Sequence, residues 1–260
     1  MLFLDSVKKK QIEVKRIARC ALVLNITGIL PKGETFSQIA LHLKERQQSD
    51  GGWGDVEESI LSVKLLSLMK SDFYSHVEKG KEWLLLQRKP NGGWGNTHRD
   101  IARLIQTSLL FHLLPELSDQ KGINWLKKEW KKDIQSNTRL SYKGGFFLMG
   151  LLASGISAKE CPLILDTYAF LANEQNNDGG FGPWKGHPIG SDPWSTGIVL
   201  VGLLSYPELV KRTIIEKAVA WLAKTQLPNG LWPYHYIEEG SAYALWGLVE
   251  ALKYLAKNKP

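Results

Sequence analysis

The stretch "ANEQNNDGGFGPW", residues 172–184, follows an apolar run with a polar cluster, two glycines and an aromatic residue. Asn or Asp followed by Gly favours a tight turn in which the glycine adopts a positive φ. Three other segments align with this stretch: "LKERQQSDGGWGD" (43–55), "WLLLQRKPNGGWGN" (83–96) and "WLAKTQLPNGLWPY" (221–234). Because the pattern recurs along the whole chain, it predicts a repeat architecture rather than an isolated loop.

The aligned turns share a spacing as well as a composition. Three copies keep Q-x3-G-x-[WF], beginning at Gln47, Gln175 and Gln226. The second copy, from Gln87 to Trp94, is interpreted as carrying one extra residue. The gap between Trp94 and Phe181 is about two periods, so a degenerate copy is expected within residues 133–145. In each copy we expect the side-chain amide to bond to the turn or to the helix end, and the aromatic ring to pack back over that helix.

Two kinds of helix are predicted between the turns. Those before each turn, such as "RTIIEKAVAWLAKTQ", are amphipathic, and Trp83, Trp125 and Trp221 are expected to pack on them. Those after each turn, such as "WSTGIVLVGLL", are apolar nearly all round and rich in small residues that permit close helix packing. With "VKRIARCALVLNITGIL" as the first inner helix, the pattern predicts an all-α (α/α)6-type toroid that forms one domain over residues 1–260.

The repeated turns resemble the QW motifs of squalene-hopene and oxidosqualene cyclases, and they are similar to the repeats of protein prenyltransferase β subunits. The resemblance covers residues 15–257 and implies a toroid with a central, often aromatic-lined cavity. It also implies a terpene-cyclase-like enzyme acting on an isoprenoid or another elongated apolar substrate. The chain has the size of one toroid. The motif is specific for the architecture and not for the reaction.

The resemblance also indicates where a proton donor would stand. Class II cyclases carry D-x-D-D-T-[AS] at the start of an inner helix, and the best match is "SDPWSTG", residues 191–197. Asp192 and Thr196 match the motif, but Trp194 occupies the position of the proton-donating aspartate and Ser195 that of the next one. Asp192 is therefore either a proton source with a pKa raised by burial or a helix cap before Pro193.

Further candidates lie between each turn and its inner helix. The predicted catalytic residues are Asp192, Asp100, His98 and His235. Arg99 and Arg103, interpreted as i, i+4 on one helix, are expected to hold a diphosphate or a carboxylate. The other predicted substrate-binding residues are Asp55, His187, Trp194, Tyr236, Glu239, Tyr243 and Trp246. Each has a simpler interpretation as a solvated rim or packing residue. His112 is expected to be a core histidine with satisfied hydrogen bonds.

Several classes of protein are disfavoured. The zinc positions of protein prenyltransferases align with Pro193, Ser195 and Gly240, so neither a metal nor another cofactor is expected. Cys20 and Cys161 are expected to be small core residues. The net charge of +7 comes partly from lysine clusters typical of a solvated helix face, and no nucleic-acid motif occurs.

The expected location is the cytoplasm. In "MLFLDSVKKK" the charge follows the apolar residues, which is the wrong order for a secretory signal, and no apolar run is long enough to span a membrane. Peripheral membrane contact stays open. The leading hypothesis is acid-initiated cyclisation or rearrangement in the toroid. The alternatives are a non-catalytic toroid that binds a lipid-like ligand or a partner protein, and a glycan-processing toroid.

Overall fold

A computed structural model describes residues 14–69, 71–137 and 139–258. These residues form eleven α-helices and contain no strand, which confirms the all-α class. The helices are α1 (Val14–Ile26), α2 (Glu34–Glu45), α3 (Val56–Ser67), α4 (Tyr74–Leu86), α5 (Leu104–Leu113), α6 (Gln120–Ile134), α7 (Ser141–Ala153), α8 (Leu163–Glu174), α9 (Pro193–Leu203), α10 (Arg212–Thr225) and α11 (Ile237–Lys257).

The odd-numbered helices form an inner ring. Each one packs against the next along the chain, and α11 packs against α1, so the ring closes on itself. The even-numbered helices lie outside, each between two inner helices in sequence. The predicted toroid of alternating inner and outer helices is confirmed, and α1 is its first inner helix. Residues 1–13, which include the stretch "MLFLDSVKKK" that was expected not to be a secretory signal, lie outside the described residues.

Glycines let three inner helices approach closely. A Cβ added at Gly197 of α9 would lie 2.1 Å from the carbonyl oxygen of Tyr243 on α11. A Cβ at Gly202 would lie 2.4 Å from the Cα of Gly145 on α7. The backbones of α7, α9 and α11 are therefore closer than side chains would permit, which agrees with the small residues that the sequence places on these helices.

Two turn glutamines, Gln47 and Gln175, tie their own loops to the next outer helix, whereas the Nε2 of Gln226 donates within its own loop to the carbonyl of Gly230 at 2.9 Å. The Nε2 of Gln47 donates to the carbonyls of Gly51 at 2.8 Å and His76 at 2.9 Å. The Nε2 of Gln175 donates in the same way to Gly179 and to Ile214, at 2.8 and 2.9 Å. The turn glycine has a positive φ, for example +98° at Gly51, which a side chain would strain.

In the three turns that carry a tryptophan, this residue packs back over the preceding outer helix, as predicted. Its indole nitrogen donates to a carbonyl at the end of that helix, at 2.6 Å from Trp53 to Leu43 and 2.7 Å from Trp94 to Leu84. Trp232 repeats this bond at 2.8 Å. These bonds give the helix end a second donor, because the carbonyls of Leu43 and Leu84 also accept from the backbone nitrogens of Arg46 and Gln87.

The second turn contains no inserted residue, so its interpretation from Gln87 is wrong. Gln87 is the C-cap of α4, whereas the Nε of Arg88 donates to the carbonyl of Gly92 at 3.3 Å. Arg88 thus takes the place that glutamine has in the other copies. Its guanidinium also lies 5.2 Å from the centroid of the Trp94 ring.

The segment that joins α6 to α7 lacks the glycine and the aromatic residue of the other turns, and it lies where the degenerate copy was expected. α6 ends at Ile134 and α7 begins at Ser141. The hydroxyl of Ser141 donates to the carbonyl of Gly182 at 2.5 Å, and its backbone nitrogen donates to Pro183 at 2.8 Å. The loop after Phe181 therefore holds the start of α7.

The outer layer agrees with the sequence. Trp83, Trp125 and Trp221 pack on turn glycines, since a Cβ at Gly52, Gly93 or Gly180 would lie within 2.5 to 2.7 Å of their rings.

Three other expectations concern the cysteines, the lysine clusters and membrane spans. Cys20 and Cys161 are buried and free. On α6, Lys128, Lys131 and Lys132 are exposed. Within the described residues, no helix is long and apolar enough to cross a membrane.

Candidate active site at the mouth of the helical ring

The inner helices begin in a common register. In four of them a hydroxyl accepts a hydrogen bond from the backbone nitrogen of the preceding aromatic turn residue, at 2.8 to 3.0 Å. These hydroxyls belong to Ser59, Thr107, Thr196 and Ser241. Because the same bond recurs, residues counted from the hydroxyl occupy equivalent places on each helix.

One equivalent place lies at the mouth of the ring. Two residues before each hydroxyl stand Glu57, Ile105, Trp194 and Glu239, and α7 contributes Tyr142, the second residue after its N-cap. All five are half-buried. We call them the mouth layer: Glu57, Ile105, Tyr142, Trp194 and Glu239.

An aromatic cluster lies beneath the mouth layer. Phe146 and Tyr243 stand four residues, about one helical turn, after Tyr142 and Glu239. The Trp194 ring centroid lies 4.8 Å from that of Tyr142, 6.2 Å from that of Phe146 and 5.9 Å from that of Tyr243. The indole nitrogen of Trp194 is buried and has no hydrogen-bond partner among the described residues. Trp194 and Tyr243 thus lie together in the ring interior, where the sequence placed candidate cavity aromatics.

Deeper in the ring, His112 meets Trp246 with 5.3 Å between ring centroids. Their helices, α5 and α11, are opposite each other in the ring, so this contact crosses its interior. Burial lowers the pKa of His112 to about 4, although a hydrogen bond to the backbone of Met149 opposes the shift. Its Nδ1 is buried without a hydrogen-bond partner in the described part of the chain, so the expectation of a core histidine with satisfied hydrogen bonds is met only in part, through Met149.

A pocket of about 560 Å³ lies away from the mouth, between the C-terminal parts of α9 and α11. It is lined by residues such as Leu204, Glu250 and Tyr254, and none of the predicted site residues lines it. A central cavity stays a prediction.

Arg19 joins two mouth-layer carboxylates. It is 4% exposed although it carries a charge. Its Nη2 lies 2.5 Å from Oε1 of Glu57 and 3.5 Å from Oε1 of Glu239, and its guanidinium lies 5.8 Å from the centroid of Tyr243. The Nε of Arg19 is buried and has no partner among the described residues. The sequence prediction missed Arg19, although an arginine within the otherwise apolar residues 17–24 of α1 is a detectable signal.

The other charges on this side of the mouth are also paired. Lys15 on α1 contacts Asp55 at 2.7 Å, and Arg16 contacts Glu238 at 2.7 Å. Carboxylates are in excess, because α3 and α11 contribute Asp55, Glu57, Glu58, Glu238 and Glu239 against three cations of α1. Asp55 is the N-cap of α3 and accepts a hydrogen bond from the backbone of Glu58 at 2.7 Å.

Asp192 is a helix cap. It is 6% exposed, and its Oδ1 and Oδ2 accept hydrogen bonds from the backbone nitrogen and the hydroxyl of Ser195, each at 2.7 Å. Burial raises the pKa of Asp192, and the bonds from Ser195 oppose that shift. A role as proton source remains a prediction for this carboxyl.

Asp100, Arg99 and Arg103 lie in the loop before α5. Because α5 begins at Leu104 and Arg103 is its N-cap, the interpretation of Arg99 and Arg103 as neighbours on one helix is wrong. The Nε of Arg103 donates to Asp100 at 2.5 Å, and this hydrogen bond lowers the pKa of Asp100 to about 2. Asp100 is therefore ionised at neutral pH, which disfavours it as an acid.

The remaining predicted residues lie on the rim. His98 and His235 are exposed. The Nδ1 of His187 accepts from the backbone of Ile189 at 3.2 Å, and its ring meets Trp184 edge to face at 4.1 Å. Tyr236 is exposed, with the Arg16 guanidinium 5.3 Å from its ring centroid. Of the predicted site residues, the structure therefore brings Glu239, Trp194, Tyr243 and Trp246 toward the interior, with Asp55 beside them.

Large apolar side chains surround the mouth on the loops and helix starts. The exposed ones are Ile101, Trp184, Ile189, Tyr236 and Ile237. Single exposed apolar residues are common, but these share one face of the ring.

Inner and outer helices joined by glutamine–aromatic turns, with carboxylates over an aromatic interior, define a terpene cyclase type of α/α toroid. The model of the squalene-hopene cyclase C-terminal domain matches residues 60–250, and the chain belongs to that family.

Curated relatives are distant and longer. Drimenyl diphosphate synthase from Streptomyces showdoensis is 24% identical over 236 residues, which cover 82% of this chain and 44% of the relative. Squalene–hopene cyclase from Zymomonas mobilis is 25% identical over 214 residues, which cover 67% of this chain and 32% of the relative. The chain thus spans less than half the length of either.

Among solved structures, the type II terpene cyclase MstE from Scytonema superposes with a TM-score of 0.67 at 19% identity, covering 94% of this chain and 87% of that one. A protein from Actinoplanes superposes with a TM-score of 0.69 at 15% identity, covering 92% and 89%. These likenesses support the toroid fold.

Proposed function

We propose that the protein is an enzyme that holds an isoprenoid or another elongated apolar molecule in the ring and converts it by acid-initiated cyclisation or rearrangement. The main support for this proposal is the arrangement of the mouth. There, the carboxyl groups of Glu57 and Glu239 lie in the same layer as Trp194 and above Tyr243. A half-buried carboxyl group is suited to donate a proton. Aromatic faces beneath it stabilise the carbocation that protonation of an alkene creates.

The comparisons support an isoprenoid as the substrate class. The two curated relatives are named for drimenyl diphosphate and for squalene and hopene. A variant of the Scytonema enzyme binds geranylgeranyl dihydroxybenzoate as substrate, and another binds merosterolic acid A as product. The geranylgeranyl group named in one of these ligands is a linear isoprenoid chain, which supports an elongated apolar substrate.

A second candidate function is the non-catalytic binding of a lipid-like ligand. Two points favour it: the match to the cyclase motif puts Trp194 at the position of the acid, and His112 and Trp246 meet across the ring interior. In that case the aromatic interior would be a binding surface alone.

Turnover and binding measured on the same purified protein separate the two. We would supply farnesyl diphosphate, geranylgeranyl diphosphate and squalene in turn, analyse products by mass spectrometry, and follow binding by quenching of tryptophan fluorescence. Cyclised product supports the enzyme, and saturable binding without product supports the second candidate. Absence of both binding and product would contradict both. Single substitutions Asp192→Asn, Asp100→Asn, His98→Gln and His235→Gln test the acids predicted from the sequence.

We also propose that the protein works in the cytoplasm with its mouth resting on a membrane surface. The exposed apolar residues on the mouth face, Trp184 and Ile189 among them, would enter the interfacial region, from which an apolar substrate could pass into the ring. Sedimentation with phosphatidylcholine vesicles tests this proposal. Trp184→Ser together with Ile189→Ser should lower the bound fraction, whereas Leu165→Ser on the outer helix α8 should not.

A further inference from the structure

We propose that Glu239 is the proton donor of this reaction, with Arg19 as the residue that positions it. This inference rests on the proposed function and gives the acid a definite identity. It moves the acid from α9, where the cyclase motif would place it, to the equivalent position on the adjacent inner helix α11.

The common register supports this placement. Trp194 and Glu239 both stand two residues before the hydroxyl that accepts from an aromatic turn nitrogen, so they occupy the same position on neighbouring helices. Tyr243, about one turn below Glu239, lies 5.9 Å from Trp194 between ring centroids. A carboxyl at Glu239 therefore lies over the same aromatic cluster as an acid at position 194 would.

The ion pairs distinguish Glu239 from the other mouth-layer carboxylate, Glu57. One oxygen of Glu57 lies 2.5 Å from Arg19 and the other 3.6 Å from Lys15, so this carboxyl group contacts two cations. Glu239 has the longer contact with Arg19, at 3.5 Å. Burial raises the pKa of Glu239, the Arg19 charge opposes this, and the Glu57 carboxylate adds to it. Glu239 is therefore the less tightly paired carboxyl of the two, and burial favours its protonated form.

Arg19 explains why the two carboxyl groups of Glu57 and Glu239 can lie close together inside the ring. It is buried, it reaches both carboxylates with one nitrogen, and its Nε has no partner among the described residues. When Glu239 loses its proton, the new carboxylate already faces a cation that does not have to move. A preorganised charge of this kind stabilises the transition state of proton transfer.

The other buried or half-buried carboxyls near the mouth have their oxygens directed elsewhere. Both oxygens of Asp192 accept hydrogen bonds from Ser195. Glu58 accepts from the backbone nitrogen of Lys15, and it stands one residue after the mouth layer, about 100° around α3. Neither is in the register that faces the ring interior.

The step balances without a cofactor. The Glu239 O–H bond breaks and its proton forms a C–H bond at the terminal alkene of the isoprenoid, using the π electron pair. The tertiary carbocation that results is attacked by the next double bond, which forms a ring C–C bond. The final cation loses a proton to water, and Glu239 regains one from solvent, so the net change is an isomerisation.

The test compares matched carboxamide variants. Glu239→Gln is nearly isosteric and cannot donate a carboxylic proton, and we expect kcat to fall at least about 100-fold with substrate affinity changed less than about threefold. Glu58→Gln, which removes another half-buried carboxyl with a pKa raised by burial, is the control and should keep kcat within about threefold. Glu239→Asp keeps the acid and should restore part of the lost turnover.

The outcomes separate this inference from the proposed function. If the wild-type protein cyclises an isoprenoid and Glu239→Gln retains more than a tenth of its kcat, Glu239 is not the donor although the enzyme is a cyclase. If the wild-type protein binds isoprenoids and converts none, both proposals fail. A pH–rate profile gives a second readout: Arg19→Gln should shift the basic limb of kcat to higher pH, because removing the cation raises the pKa of Glu239 further.

Discussion

The indole nitrogen of Trp221 on α10 donates a 3.0 Å hydrogen bond to Oδ2 of Asp178, in the turn between α8 and α9. The other oxygen of Asp178 accepts from the backbone nitrogen of Gly180, at 3.0 Å. Trp83 and Asp50 repeat the indole bond at 3.0 Å. An outer-helix tryptophan therefore secures the aspartate that shapes the preceding turn.

Replacing Trp221 with Phe should lower the free energy of unfolding by about 1.5 to 3 kcal/mol, the range for a hydrogen bond to a charged group. Urea denaturation measures this change. The control is Trp125→Phe, because Trp125 packs on Gly93 in the same way but makes no indole hydrogen bond to any described residue. Equal losses in the two variants would show that ring packing, and not the bond to Asp178, stabilises the turn.

Arg88 should be replaceable by glutamine. Arg88→Gln restores the spacing of the other turns and keeps a donor for the carbonyl of Gly92, whereas Arg88→Ala removes that donor. We expect the alanine variant to lose about 1 kcal/mol more stability than the glutamine variant in urea denaturation. If alanine were tolerated as well as glutamine, the side chain at this position would not hold the turn.

Close helix packing should make Gly197 intolerant of substitution. The Cβ of Gly197→Ala would lie 2.1 Å from the Tyr243 carbonyl oxygen, so α9 and α11 would have to separate. We expect a loss of at least about 2 kcal/mol, at the upper part of the range for overpacked cores. Gly33→Ala is the control, because a Cβ there meets nothing nearer than 4.0 Å and its φ is −143°. Similar melting temperatures of the two variants would contradict the close approach.

The sequence predicted the ring because the turns are local. Gln47, Gly51 and Trp53 lie within a few residues of one another, and their spacing carries the whole geometry of the turn. The convergence of Arg19, Glu57 and Glu239 was not predictable in this way. These residues are far apart in sequence and meet because α11 packs against α1 when the ring closes. The role of Arg88 was not predicted for a different reason. The sequence pattern was defined by a glutamine, and in this turn an arginine guanidinium takes the place of the glutamine amide.

His112 should make the protein less stable in mild acid. The pKa of His112 is about 4 in the folded protein, against about 6.5 when exposed, because burial disfavours the imidazolium. Between these values the unfolded chain binds a proton that the folded chain does not, so stability falls as pH drops from about 6.5 to about 4. The loss is on the order of 3 kcal/mol. The charged groups that face His112 are Lys64 on α3 and Glu250 on α11.

His112→Leu removes this contribution while leaving those charges in place. Urea denaturation of both proteins at several pH values gives the difference in stability between them. That difference should shift in favour of the variant as the pH falls through the window. If the free energy of unfolding of the two proteins changed with pH in parallel, protonation of His112 in the folded protein would cost no stability. Its environment would then be more polar than the contacts with Trp246 and Met149 indicate.

The charge at the mouth should select against anionic head groups. The three cations on α1 are paired with carboxylates of α3 and α11, and carboxylates are in excess on that side. An incoming diphosphate would meet this excess, whereas an alcohol would not, since like charges in a half-buried site repel strongly. Geranylgeraniol should therefore bind at least about tenfold more tightly than geranylgeranyl diphosphate, a difference of about 1.4 kcal/mol.

Fluorescence titration at low and high salt tests this preference. Glu57→Gln should narrow the difference between the two ligands, because it removes one of the repelling charges, and higher salt should narrow it through screening. Tighter binding of the diphosphate would mean that the head group lies instead against the opposite rim. Arg99 and Lys185 are exposed on that rim. Charge reversal at these two positions should then abolish the tighter binding of the diphosphate.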